Sequence, residues 1–122
     1  MNDIYLSVII PAYNEEKTIA DTVRKVLNYL KKQNFSFEIL VADDGSKDKT
    51  VEIVRKEFMN ELSVSVIERY ENHGKGYTVR EGMLKAKGSV RLFMDADNAT
   101  DVSHFDLMKP LFDSGYDVVI GS

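Results

Sequence analysis

Asp95-Ala96-Asp97 follows directly on the apolar run Val90 to Met94. Two carboxylates one residue apart at the end of a buried strand are costly to desolvate unless something compensates their charge. Side chains at i and i+2 of a strand point the same way. Just past a strand end they can converge on one hard cation, which prefers oxygen ligands. Open α/β sheets bind their ligands at the carboxyl ends of strands. The triplet is therefore a candidate metal and phosphate site. An isolated Asp-x-Asp is more often a loop with two solvated acids, so the rest of the chain decides.

The elements that must position such a site follow from punctuation and periodicity. Tyr5 to Ile10 is a β-branched run that Pro11 is expected to stop. Asn14 offers an N-cap, with Glu15 and Glu16 at the positive end of a helix whose apolar residues are Ile19, Val23, Val26, Leu27 and Leu30. Phe37 to Ala42 is a second strand, closed by Asp43-Asp44-Gly45-Ser46. Asp48 or Ser46 caps the next helix, with Val51, Val54, Phe58 and Leu62 on its apolar side. Val64 to Ile67 is a short third strand, followed by a polar, glycine-containing loop over Glu68 to Gly76. A helix carrying Tyr77, Val79, Met83, Leu84 and Ala86 ends near Gly88. Val90 to Met94, a helix over Val102 to Phe112 and a strand over Val118 to Ile120 complete the series. Strands alternating with helices predict an α/β domain, Rossmann-like, with a mostly parallel sheet and right-handed crossovers.

Composition narrows the function. The 122 residues are enough for one domain with a real core. With 16 basic against 20 acidic residues, net −4, the chain lacks the basic footprint of a nucleic-acid surface. Cysteine is absent, which excludes disulfides and thiolate metal sites and allows a cytoplasmic location. Met1 to Ile10 has no basic region of the signal-peptide kind, and no apolar run approaches the roughly 20 residues of a membrane helix. The chain itself is then not expected to span a membrane, and work at one would go through a partner or a further segment.

Three clusters follow three strands: Pro11-Ala12-Tyr13-Asn14-Glu15, Asp43-Asp44-Gly45-Ser46 and Asp95-Ala96-Asp97-Asn98. If strands one and four are neighbours, the clusters meet at one crevice. A planar base can then rest near Tyr13 while Asp44 accepts its ring N–H. A divalent ion on Asp97, helped by Asp95, can neutralise a pyrophosphate, and Lys75 and Arg80 add positive charge. The set reads as a nucleotide-sugar site built from acids and a metal. Gly74-Lys75-Gly76 lacks the spacing of a P-loop or a dinucleotide fingerprint, and His73 and His104 have no ligand spacing. A phospho-acceptor receiver domain shares the length and the five strands, but its acid pair would follow strand one. A non-catalytic nucleotide-sugar-binding module is the other alternative.

Ser7 to Glu16, Asp43 to Thr50, Asn72 to Gly76 with Arg80 and Gly82, and Met94 to Thr100 together resemble family-2 glycosyltransferases over nearly the whole chain. Gly74 to Met83 and Asp95 to Thr100 are most similar to dolichyl-phosphate glucosyltransferases and their prokaryotic relatives. The resemblance implies a GT-A fold and inverting transfer from a UDP- or GDP-sugar with Mg²⁺ or Mn²⁺. It implies that Pro11, Ala12 and Tyr13 line the nucleoside pocket with Glu15 in support, and that Asp44, with Asp43 beside it, binds the base. Asp95 and the adjoining Ala96 would lie by the ribose or metal, Asp97 would bind the metal, and Lys75 would meet the donor phosphates or order its loop. Relatives continue into an acceptor-binding half, so residues 1–122 are expected to be a donor-binding domain whose base or acceptor site lies past Ser122. A polyprenyl or dolichyl phosphate is the expected acceptor, which would place the protein at the cytoplasmic face of a membrane. A homodimer paired through the edge near Val118 to Ile120 is the expected assembly.

Overall fold

The computed structural model describes residues 3–94 and the backbone of the strand at 118–120. It contains β1 (Leu6–Ala12), α1 (Ile19–Lys31), β2 (Phe37–Asp43), α2 (Thr50–Glu57), β3 (Val64–Ile67), α3 (Lys75–Lys85), β4 (Val90–Phe93) and β5 (Val118–Ile120). The strands form one sheet in the order β3-β2-β1-β4-β5, and every pairing is parallel. The helix expected over Val102 to Phe112 lies outside the described residues.

The central strand β1 is buried along its whole length. Leu6, Val8, Ile10 and Ala12 pack with Val23, Val26, Leu27 and Leu30 of α1, Val54 of α2 and Phe58 just past its end. Ile9 faces the other way, in a smaller core with Leu40, Ala42, Ala86 and the partly buried Met83 and Phe93. Each large apolar side chain removed from water stabilises the fold by about 1.5–3 kcal/mol, so β1 is the spine of both cores. The first two crossovers step outward from β1 with their helices on one face. The third returns past β1 with α3 on the other face. That reversal puts the topological switch point between β1 and β4, where open sheets of this kind bind ligands.

Pro11 does not stop β1. The strand continues to Ala12, with Pro11 opposite Ala42 and Ala12 opposite Asp43. Backbone groups of alternate residues face opposite neighbours in a parallel ladder. The carbonyl of Ala12 bonds Asp44 on the β2 side, while that of Ile9 bonds Met94 on the β4 side. Pro11 shares the β4-facing parity of Ile9, so its missing N–H removes no bond from the β1–β2 ladder. Two other expectations shift for similar local reasons. Leu62 is fully exposed because α2 ends at Glu57, a turn earlier than its apolar spacing suggested. Tyr77 and Leu84 point to solvent on α3, and its buried side is made by Thr78 and Gly82.

At the amino end of the sheet a buried polar knot fixes α3 to β4. Glu38 Oε2 accepts from the Ser7 hydroxyl (2.6 Å) and from Lys87 N–H (2.7 Å), and Ser7 Oγ accepts from Gly88 N–H (2.8 Å). Arg91 donates to the carbonyls of Met83 and Gly88 (2.8 and 3.1 Å), satisfying acceptors at the end of α3. A Cβ on Gly88 would stand 2.6 Å from Ser7 Oγ and 2.7 Å from Ser7 N. Gly88→Ala should therefore lower the unfolding free energy by about 1–3 kcal/mol, as overpacking against backbone does, measured by urea denaturation.

Candidate functional site

The exits of β1 and β2 are sewn into one unit at the carboxyl edge. Asn14 has φ 52°, a left-handed conformation that asparagine tolerates better than most residues. It does not cap α1. Its N–H donates to Ser46 Oγ (2.8 Å) and its Oδ1 accepts from Lys47 N–H (2.8 Å). Glu15 N–H donates to Thr50 Oγ1 (2.8 Å), and Glu16 N–H donates to Asp48 Oδ2 (3.2 Å). The Glu15 carboxylate accepts from the Thr18 hydroxyl (3.3 Å), so it braces the entry to α1. Pro11 and Ala12 are buried beneath these loops, and Tyr13 stands 41% exposed at the rim as an available ring surface.

The acid pair divides between the two faces of the sheet. Asp43 continues the side of β2 that faces α1 and α2. Its Oδ2 accepts from Ser46 N–H (3.0 Å), and its buried Oδ1 has no hydrogen-bond partner among the described residues. Asp44 turns toward the β3–α3 connection and is 4% exposed. Its Oδ1 accepts from His73 N–H (2.8 Å) and its Oδ2 from Gly74 N–H (2.9 Å), while its carbonyl accepts from Asn72 Nδ2 (3.3 Å). The chain passes so close here that a Cβ on Gly45, at φ 77°, would stand 2.8 Å from the carbonyl carbon of Glu71. Glycine is required at that crossing.

Arg69 is a site residue that the sequence reading missed. Its guanidinium reaches Asp44 Oδ1 (3.5 Å), Glu81 Oε2 (3.3 Å) and the Thr78 hydroxyl, and lies 4.4 Å over the Tyr77 ring. No spacing rule links it to Asp44, 25 positions upstream, or to Glu81, 12 positions downstream. Lys75 opens α3, and its Nζ is 5.7 Å from the centroid of Phe93, the last residue of β4. The structure thus brings Tyr13, Asp44 and Lys75 to one edge of the sheet, beside the exit of β4. Asp95, Ala96 and Asp97 lie outside the described residues. Among the described residues, no group of three or more His, Cys, Asp or Glu could hold a metal ion.

Asp48 anchors the unit from below. Burial alone would raise its carboxyl, but hydrogen bonds from the Thr50 hydroxyl and from the N–H groups of Thr50 and Glu16 outweigh it and hold the group below its usual range. A carboxyl depressed in the folded state stabilises the fold above its unfolded value near 4 and loses that contribution as pH falls through the folded value. Asp48→Ala should accordingly be less stable than the unsubstituted chain at about pH 7, with the gap narrowing as the pH falls below about 4. Urea unfolding across that range checks it; a gap independent of pH would assign the loss to packing instead.

The chain is similar to known proteins along nearly its whole length. Residues 7–122 match the family model described as glycosyl transferase family 2. The dolichyl-phosphate beta-glucosyltransferase of Trichomonas vaginalis is 37% identical over 87% of this chain and 34% of its own length. The chain thus spans about a third of that relative. TarS of S. aureus, solved in complex with UDP-GlcNAc, superposes with a TM-score of 0.72 at 32% identity, over 91% of this chain and 32% of the TarS chain. A mannosyltransferase of Pyrobaculum calidifontis, in complex with GDP-Man and Mn²⁺, superposes with a TM-score of 0.66 at 27% identity, over 75% of this chain and 27% of its own. The fold is that of the GT-A glycosyltransferases. From its sequence and its fold together, the chain belongs to glycosyl transferase family 2.

Proposed function

We propose that residues 1–122 form the donor-binding domain of an inverting glycosyltransferase that takes its sugar from a nucleotide diphosphate. The observation that carries this reading is the carboxyl edge beside the β1–β4 switch point, where the exposed ring of Tyr13 and the buried, oriented Asp44 stand on the adjoining exits of β1 and β2. A nucleoside base stacks on Tyr13 in a pocket floored by Pro11 and Ala12. Asp44 keeps acceptor capacity for a ring N–H, since a carboxylate offers about four lone-pair sites. Asp43 precedes it on the α1–α2 side, with one buried oxygen that has no partner among the described residues, and Glu15 braces the loop that carries Tyr13. The TarS complex with UDP-GlcNAc and the mannosyltransferase complex with GDP-Man support a nucleotide-sugar ligand for this edge.

Asp97, with Asp95 and the adjoining Ala96, is the proposed metal segment. Its two carboxylates are hard oxygen donors suited to Mg²⁺ or Mn²⁺. The described chain leads toward it at the carboxyl edge, where Met94 N–H bonds the carbonyl of Ile9 (3.0 Å). When bound, the ion stabilises the negative charge that develops on the leaving diphosphate. Lys75, with its ammonium above the end of β4, adds charge from the helix side. Displacement at the anomeric carbon passes through an oxocarbenium-like state. A polyprenyl or dolichyl phosphate acceptor, the class named in the Trichomonas relative, is already ionised near neutral pH and attacks without a general base.

Among the described residues, no helix is long and apolar enough to cross a membrane. The proposed acceptor, a membrane-linked phosphate, is what argues for work at the cytoplasmic membrane face. Pairing of two copies through the β5 edge belongs to the same proposal. Family membership removes the receiver-domain alternative.

Calorimetric titration of the chain with UDP and with GDP, each with and without Mn²⁺, tests the donor site. Metal-dependent binding of one nucleotide is expected, and Asp97→Ala should abolish the metal dependence while leaving thermal unfolding unchanged. Equal affinity with and without metal in both proteins would sink the metal assignment. No binding of either nucleotide would sink the donor site in this chain.

A further inference from the structure

We infer that Arg69 is a positioning residue for the donor site, acting through Asp44 and the β3–α3 connection. The inference rests on the nucleotide-binding reading of this edge. Arg69 leaves the sheet two residues after β3, and its side chain is only 13% exposed. One end of its guanidinium faces Asp44 Oδ1 and the Thr78 hydroxyl, and the other faces Glu81 Oε2. Thr78 in turn donates from its hydroxyl to the carbonyl of Gly74 (3.0 Å). Gly74 also gives its N–H to Asp44 Oδ2. A ring of contacts thus runs from Asp44 through Arg69, Thr78 and Gly74 back to Asp44.

Two consequences follow from charge and shape. Asp44 and Glu81 are both acids, with side chains 6% and 24% exposed, and Arg69 bridges them from between. Without that cation the two carboxylates face each other through a poorly hydrated gap, and the Asp44 carboxylate is pushed off its backbone donors. Glu81 retains Lys85 at the surface (3.3 Å), whereas Asp44 has no other ion-pair partner among the described residues. The planar fork also stacks on Tyr77 while bonding at both ends, a geometry that a lysine ammonium cannot reproduce. Arg69 therefore sets the direction of the Asp44 carboxylate and the path of residues 69–76, including Lys75 at the start of α3. It does not need to touch the ligand.

The test uses the full chain with Arg69→Gln and Arg69→Lys, and with Arg24→Gln as a control that removes the exposed Arg24–Glu57 pair. UDP and GDP are titrated in the presence of Mn²⁺, and amide hydrogen exchange is followed at His73, Gly74 and the β1 core. Arg69→Gln should weaken the bound nucleotide by roughly 10-fold or more, the scale of a lost charge-assisted bond. Exchange at His73 and Gly74 should accelerate while Val8 and Ile10 stay protected. Arg69→Lys should recover part of the affinity, and Arg24→Gln should match the parent. Unchanged affinity and unchanged exchange in Arg69→Gln would overturn the inference. So would a uniform loss of protection through β1, because that pattern belongs to general destabilisation. Exchange is read without nucleotide, so the loop-ordering step stands or falls separately from donor binding. If the parent chain binds neither nucleotide, the functional reading fails while the exchange experiment still decides whether Arg69 orders the loop.

Discussion

A carboxylate shut away from water must find its donors in the protein, and Asp44 finds them in a loop that is remote in sequence. Three donors converge on its two oxygens: the N–H groups of His73 and Gly74 and the guanidinium of Arg69. Unsatisfied, such a group costs several kcal/mol or loses its charge. The β3–α3 connection is therefore obliged to lie across the exit of β2. That obligation explains the glycine at position 45, since only a residue without a side chain lets the backbone at Glu71 approach so closely. It also fixes where α3 begins, and so where Lys75 sits relative to β4.

The same economy of contacts governs the other side of the edge. The loops after β1 and β2 exchange hydrogen bonds in both directions, Asn14 with Ser46 and Lys47, and Glu15 and Glu16 with Thr50 and Asp48. Each loop supplies partners to the other, and Asp48 also accepts from the Thr50 N–H at the start of α2. Tyr13 is carried on this doubly held segment with its ring exposed. In the proposed donor site, a stacking surface on such a support would lose little conformational entropy when a ligand arrives. The two ends of the sheet differ: the Ser7–Glu38–Gly88 knot secures the crossover at the amino end, and the carboxyl end carries the candidate site.

The parallel α/β architecture was legible because its signals are local. The β-branched runs, the helical spacing of Ile19, Val23, Val26, Leu27 and Leu30, and the turn residues after each strand all act within a few positions, and all five of those helix residues are buried. Two local signals misled. Pro11 reads as a terminator, yet its missing donor costs nothing on the side of the ladder that continues. Asn14 reads as a helix cap, yet its better partners lie more than 30 positions away.

By itself the sequence determined the order of the described elements, the family and the acidic or polar segments that follow the strands, because each is written in contiguous residues. Tertiary structure alone decided that Asp43 and Asp44 separate, one under the α1–α2 face and the other bound into the β3–α3 connection. It alone recruited Arg69, an arginine with no motif around it, to stand between Asp44 and Glu81. The reason is physical. Which donors satisfy a buried charge depends on which backbone passes within about 3 Å of it, and strand order, not sequence distance, sets that.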